Sequence, residues 1–280
     1  MNAKRTYLYG ARVIVTGASD GIGKEIVRLL VGRFNCIVLG IARRKDKLAA
    51  LKTELGENFD YIAGDVTDKS LWERIAAKFD DEPYSVLVNN AGIMPPFTVA
   101  LDQTDEELRR VIEVNYFAPV TATRILLPRM KAEFPRPVVV NVCSSSALCP
   151  LAATSAYSAS KSALKAFTEA LAAEEKGKVY VGCAFAGFTK TSLFRDTDGF
   201  FAEKKVSKIS STPQKTAKKI VYGMAKRKRR MIIGADARAM NFFYKLAPKS
   251  AANVIHSVMK SARLPAYDEA FAAKNEEKSN

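Results

Sequence analysis

The chain has 280 residues, 48% of them apolar, and a formal net charge of +15. That length and composition suit one large α/β domain with an appendage, and no stretch of eighteen apolar residues offers a membrane-spanning helix. A single histidine, His256, excludes most zinc sites, so no metal is expected and any proton chemistry must use other groups.

The opening stretch MNAKRTYLYGARVIVTGAS has no apolar signal core ending in a cleavage site. A cytoplasmic protein is expected, with attachment to a membrane surface as the open alternative. Cys36, Cys143, Cys149 and Cys183 form no CxxC pair and read as reduced thiols. The positive charge attracts phosphates or acidic surfaces. Its densest run, AKRKRR from Ala225 to Arg230, has no interleaved aromatic residue and no nucleic-acid motif beside it, so nucleic acid is not expected as a partner.

Short apolar runs alternate with longer helical patterns along the chain. The strand candidates are ARVIVTG, CIVLGIA, DYIAGDV, SVLVNNAG, PVVVNVCS, VYVGCAFA and RMIIGAD. Near-continuous apolar runs of this kind fit a parallel sheet buried on both faces. Helices are predicted over 23–33, 68–78, 105–130 and 155–175. Thr104 followed by DEE reads as an N-cap with acids in the first helical turn. The alternation implies right-handed βαβ units, hence an α/β fold with a doubly wound, seven-stranded parallel sheet flanked by helices. Residues 195–213 read as an insertion after the sixth strand, in which Phe194, Phe200 and Phe201 either line a pocket or anchor the loop. The final stretch KNEEKSN is expected to fray.

VIVTGASDGIGKEI follows the first strand and opens the first helix. Gly17, Gly21 and Gly23 permit a tight turn and a close approach of backbone N–H groups to a pyrophosphate, with Ser19, Asp20 and Ile22 between them. The spacing is GxxxGxG, and its place after the first strand of a βαβ unit makes it a dinucleotide signal. A site for NAD usually carries an acid about twenty residues on. Here Ala42 is followed by Arg43 and Arg44, which match a 2′-phosphate in charge and geometry, so NADP is expected in preference to NAD. Asp20, close to the same region, is mildly unfavourable to that phosphate.

TSAYSASKSALKAF, Thr154 to Phe167, places Tyr157 and Lys161 one helical turn apart among small residues. With TGASDGIG, NNAG and YSASK in this order and spacing, the chain resembles the classical short-chain dehydrogenase/reductase family, from about Arg12 to Thr191 and more weakly to Ile233. The resemblance implies a Rossmann-like sheet and assigns Thr16 to Gly23 to the pyrophosphate. It gives Asp65 and Val66 to the adenine and Asn90, Ala91 and Gly92 of NNAG to the adenosine ribose side. Gly187, Thr189 and Thr191 then contact the nicotinamide carboxamide. It also implies a catalytic set of Asn115, Ser144, Tyr157 and Lys161, with Ser144 thirteen residues before Tyr157. Ser145 and Ser146 carry less weight. Ala186 stands where the family usually has proline, so that loop is expected to be softer, without loss of activity.

Hydride transfer to a carbonyl needs a proton for the developing alkoxide. A tyrosine, ordinarily near 10, can supply it if a cation such as Lys161 favours the phenolate. The resemblance further implies that Lys161 holds the nicotinamide ribose, that Ser144 orients the substrate oxygen and that Asn115 reaches Lys161 through a water. The expected function is NADP(H)-dependent interconversion of a carbonyl and a secondary alcohol. A lipophilic substrate such as a steroid or long-chain ketone is favoured over small polar ketones or sugars, or a non-catalytic nucleotide-sensing scaffold.

Domain limits are expected at 1–233 for the catalytic unit, with 192–215 as a substrate lid, and 234–280 for a basic amphipathic extension. In that extension Met240, Phe242, Phe243 and Leu246 give one apolar face, and Val254, Ile255, Val258 and Met259 another. They either close the substrate pocket or lie on an anionic membrane. The helices over 105–130 and 155–175 resemble the family's dimer-forming pair, so a homodimer or homotetramer is expected.

Overall fold

The computed structural model describes residues 1–194, 206 and 210–276. Seven strands form one sheet: β1 (Arg12–Thr16), β2 (Ile37–Ala42), β3 (Phe59–Ala63), β4 (Val86–Asn89), β5 (Val138–Ser144), β6 (Tyr180–Ala186) and β7 (Arg230–Ile233). Their order is β3-β2-β1-β4-β5-β6-β7, every pair parallel. β1 is central because its Val13, Ile14 and Val15 are fully buried and pair with β2 on one side and β4 on the other. Strand order reverses at that point, which opens a crevice beyond the carboxyl ends of β1 and β4.

One face of the sheet carries α1 (Gly21–Phe34), α2 (Lys45–Leu55) and α7 (Pro213–Ala225), whose Ile26, Leu30, Leu48, Ile220 and Met224 join the apolar side chains beneath them. The other face carries α3 (Lys69–Ala77), α5 (Ala118–Glu133) and α6 (Ser155–Glu174). A buried polar thread ties this layer to the sheet. Asn89 donates to Asn141 at 2.8 Å and to Thr123 at 3.2 Å, and Asn141 donates to Thr168 at 2.8 Å.

The helix predicted over 105–130 is two helices. Asp105–Ile112 (α4) starts at a capping box between Thr104 and Glu107, and a π turn over Glu113–Phe117 separates it from α5. Pro119 has no amide hydrogen to give to the Asn115 carbonyl four residues earlier, so the hydrogen-bond ladder changes register there. The seventh strand is shorter than its predicted run. It ends at Ile233, Gly234 takes φ +118°, and the following residues open a helix.

That helix is α8 (Ala235–Leu246), followed by α9 (Pro248–Ser261) and α10 (Pro265–Glu276). Met240, Ala251, Met259 and Tyr267 from these three, with Leu264 just before α10, pack into one cluster with Met94, Phe97, Leu151 and Phe188. The two apolar faces expected here divide differently. Met240 and Met259 are buried, whereas Phe242, Leu246 and Val258 are 61%, 72% and 60% exposed. The reason is angular: Phe242 follows Met240 by two residues, which turns it to the opposite side of the helix. His256 lies on α9, with Nδ1 2.6 Å from the Tyr267 hydroxyl.

Part of the basic run is structural. Arg227 stacks on Tyr7 at 4.2 Å and on Tyr180 at 5.9 Å, and Arg230 pairs with Glu169. Among the described residues, no helix is long and apolar enough to cross a membrane.

Candidate active site

A cleft of about 470 Å³ lies at the carboxyl ends of the strands. Every site residue expected from the sequence lines it except Thr16, Ala18, Gly23 and Asn115. Gly17 and Gly21 take φ of +67° and +52°, values that favour glycine. A Cβ on Gly23 would overlap the Gly17 carbonyl and the Asn90 amide, so Gly23 serves the packing of α1 against the loop rather than the cleft wall. Thr16 Oγ1 accepts from the amides of Asn90 and Ala91, both at 2.9 Å, and Asn90 Nδ2 donates to the Thr16 carbonyl at 3.0 Å. The loop after β1 and the loop after β4 are thereby one unit. The bare loop backbone, the N-terminus of α1 and the cations after β2 form a donor set that fits a phosphate-bearing dinucleotide.

Beyond β2, Arg43 is exposed on the cleft wall and Arg44 turns inward. Arg44 Nη2 donates to Asp20 Oδ2 at 2.9 Å, and Lys47 Nζ to the same oxygen at 3.0 Å. Lys47 was not singled out in the sequence, where it reads as one more charge in KDKL. Asp65 accepts from Thr67 and, at 2.9 Å, from Arg110. Burial opposes ionisation of Asp65, yet these hydrogen bonds hold its carboxyl below the usual range.

At the opposite end, Tyr157 and Lys161 are 7% and 4% exposed on the inner face of α6. Lys161 Nζ lies 6.0 Å from the Tyr157 ring centre and donates to the Val142 carbonyl at 3.2 Å. Ser144, at the end of β5, stands beside Tyr157 in the cleft and favours the ionised form of its hydroxyl. Ser144 Oγ accepts from the Ser146 amide at 3.2 Å. Ser145 and Ser146 are buried. The phenol does not follow the expected depression. Burial pushes Tyr157 up to about 12, opposed by Ser144. The same burial lowers Lys161, so the chain's own groups keep the phenol protonated.

Asn115 is fully buried in the π turn, behind Gly92. Its Oδ1 accepts from the Ile93 amide at 2.9 Å, and its Nδ2 donates to the Ile93 carbonyl at 2.9 Å and to Ser160 Oγ at 3.0 Å. A Cβ on Gly92 would lie 3.0 Å from Asn115 Oδ1 and 3.1 Å from Lys161 Nζ. Asn115 thus braces the segment after β4 against α6.

After β6, Thr189 Oγ1 donates to the Gly187 carbonyl at 3.0 Å, and a bridge between Thr189 and Ser211 closes the base of the insertion. Thr191 packs on Gly21. Phe200, Phe201, the Phe194 side chain and most of the lid expected over 192–215 lie outside the described residues. Met94, Leu151, Phe188 and Leu193 give the cleft an apolar wall near Tyr157.

A glycine loop on a parallel sheet, joined to a tyrosine–lysine–serine cluster, defines a dinucleotide-dependent oxidoreductase. The short chain dehydrogenase family model matches residues 11–199, and the chain belongs to that family, whose members use NAD(P) to act on alcohol and carbonyl groups. It is similar to the very-long-chain 3-oxoacyl-CoA reductase of Bos taurus, 33% identical over 176 residues, which is 60% of this chain and 56% of that protein. The match therefore spans little more than half the length of that relative. Among solved structures, a short-chain dehydrogenase from Streptomyces avermitilis superposes with a TM-score of 0.75 at 28% identity, covering 90% of this chain and 97% of the other. A serine dehydrogenase complexed with NADP+ superposes at 0.69 with 27% identity, covering 76% and 88%.

Proposed function

We propose that this chain interconverts a ketone and a secondary alcohol on a lipophilic substrate, using NADP(H), with Tyr157 as general acid and base. The observation that carries this reading is the meeting of Tyr157, Ser144 and Lys161 where the glycine-loop cleft gains its apolar wall. In reduction Tyr157 gives its proton to the developing alkoxide, and in oxidation it takes the proton back. Ser144 donates a hydrogen bond to the same oxygen and orients it. Lys161 holds the nicotinamide ribose, and Asn115 positions Lys161 by bracing α6. When bound, NADP(H) supplies or accepts the hydride, and its oxidised ring adds positive charge to the site. That charge counts here, because burial, only partly opposed by Ser144, leaves the Tyr157 phenol at about 12, favouring the protonated acid.

Arg43, Arg44 and Lys47 after β2 support a 2′-phosphate, as does the NADP+ bound to the serine dehydrogenase. Met94, Leu151, Phe188 and the buried faces of α8 to α10 support a lipophilic substrate, in line with the acyl-CoA reductase relative. Titration with NADPH and NADH, followed by a carbonyl panel, tests both parts. We expect tighter NADPH binding and turnover of long-chain or steroid ketones. A preference for NADH overturns the cofactor reading. Turnover confined to small polar ketones or sugars overturns the substrate reading, and no binding of either cofactor turns the chain into a scaffold.

A peripheral membrane contact belongs to the same proposal, and one observation favours it. Residues 242–250 are all exposed and include Phe242, Phe243, Tyr244 and Leu246 beside Lys245 and Lys249. Association of copies through α5 and α6 is supported by Phe117, 48% exposed at the end of the π turn that leads into α5, and sedimentation of the purified chain checks it.

A further inference from the structure

The Asp20 carboxylate sits among the very cations that the cofactor reading reserves for a phosphate. Its Oδ2 accepts from Arg44 Nη2 at 2.9 Å, from Lys47 Nζ at 3.0 Å and from Ser192 Oγ at 3.0 Å. Its Oδ1 caps α1 by accepting from the Gly21 amide at 2.7 Å. Arg44 Nη2 also reaches Ser19 Oγ at 3.4 Å. Asp20, Arg44 and Ser192 all line the cleft. Two cations at the end of β2 are therefore already joined to an anion, and both spend a donor on it.

We propose, resting on the NADP reading above, that Asp20 is an internal stand-in for the 2′-phosphate. It holds Arg44 and Lys47 in place, and a phosphorylated ribose binds by exchange with it. The exchange has a direction. A phosphate carries more charge and more acceptor oxygens than one carboxylate, so it can take both cations. It must also displace or endure a like charge, which reduces the net gain from the 2′-phosphate. A ribose without that phosphate meets cations that are already satisfied and gains little from them. Selectivity between the two dinucleotides is thus a difference set by one carboxylate. Exchange also frees the Ser192 hydroxyl.

The carboxylate is permanently charged in this setting. Burial opposes its ionisation and is outweighed by the hydrogen bonds from Lys47, the Gly21 amide, Ser192 and Arg44, which hold its pKa far below the usual range. The stand-in therefore operates at every working pH.

Calorimetric titration of the full chain with 2′,5′-ADP and 5′-ADP reads the ribose end without turnover. Asp20→Asn keeps the α1 cap and removes the charge, and Asp20→Ser does the same with a shorter side chain. Both variants should bind 2′,5′-ADP about tenfold tighter than the wild type, the size of one charge-assisted hydrogen bond. Their affinity for 5′-ADP should stay within about twofold. Unchanged or weaker 2′,5′-ADP binding in both variants overturns the exchange, as does an equal gain for the two ligands. Failure of the NADP reading looks different: the wild type, both Asp20 variants and Arg44→Ala would all bind the two ligands alike, and the exchange would fall with it.

Discussion

The Asp236 carboxylate accepts a hydrogen bond from the Phe188 amide at 2.6 Å, across the loop where Ala186 stands in place of the family's usual proline. Asp236 is in the first turn of α8, and a Cβ on Gly187 would run into its carboxylate. The loop's conformation is therefore held from outside rather than by a pyrrolidine ring. Asp236→Ala removes this part-buried, charge-assisted hydrogen bond and should cost about 1–3 kcal/mol in urea unfolding. Asp236→Asn keeps an acceptor and should restore most of it. An alanine variant as stable as the wild type would remove Asp236 from this role.

Tyr157→Phe should lower turnover by about 10²- to 10⁴-fold while NADPH binding, read by fluorescence, persists. The pH dependence has a definite sign. With the phenol pushed up to about 12 by burial, it is protonated at neutral pH. Ketone reduction should accordingly hold level between about pH 7 and 9, whereas alcohol oxidation should rise with pH, because it needs the phenolate. Reduction that falls steadily over that range would point to a different proton donor.

Gly23 and Gly32 share α1 but have opposite surroundings. A Cβ on Gly23 meets backbone, which cannot yield, while nothing lies within 4 Å of one on Gly32. Gly23→Ala should destabilise by about 1–3 kcal/mol and weaken dinucleotide binding. Gly32→Ala should stabilise by about 0.5–1 kcal/mol, because it removes chain freedom from the unfolded state. The same sign for both substitutions in urea titrations would contradict the packing described.

The exposed elbow between α8 and α9 can be tested with vesicles. The chain should co-sediment with phosphatidylserine-containing vesicles and much less with pure phosphatidylcholine. Phe242→Asp combined with Leu246→Asp should weaken that binding at least about tenfold, since burying either side chain in the interface contributes roughly 1.5–3 kcal/mol. A wild-type chain that stays in the supernatant with both vesicle types rules the membrane contact out.

Most of the architecture was legible because both faces of the sheet are covered. Runs such as VLVN and VVVNV read as interior strands, and the glycine loop after β1 marks the crevice. The break at Asn115 was not visible as a change of hydrophobic pattern, and a proline alone does not locate it: Pro119 stands at the π turn, while Pro128 is held inside α5. RMIIGAD overran its strand because Gly234 and Asp236 serve the loop after β6, a contact between segments far apart in the chain. The pairing of Tyr157 with Lys161 followed from helical spacing, and Ser144 joined them through the family resemblance. The pKa of Tyr157 followed from neither, because burial is a property of the whole fold and outweighs a neighbour one turn away. The pairing of Asp20 with Arg44 and Lys47 was hidden for a related reason: Asp20 caps one helix and Lys47 stands in the first turn of the next, and only the sheet brings them together.

The support that Met240, Met259 and Tyr267 give to the Met94, Leu151 and Phe188 wall has a consequence for the order in which the protein is made. A ribosome delivers the glycine loop and the tyrosine helix well before α8 to α10. The nucleotide end of the cleft can thus take shape on a nascent chain whose substrate end is still open. The two ends vary with different freedom: α9 and α10 touch none of the glycine loop, whereas α8 is tied through Asp236 to the loop after β6.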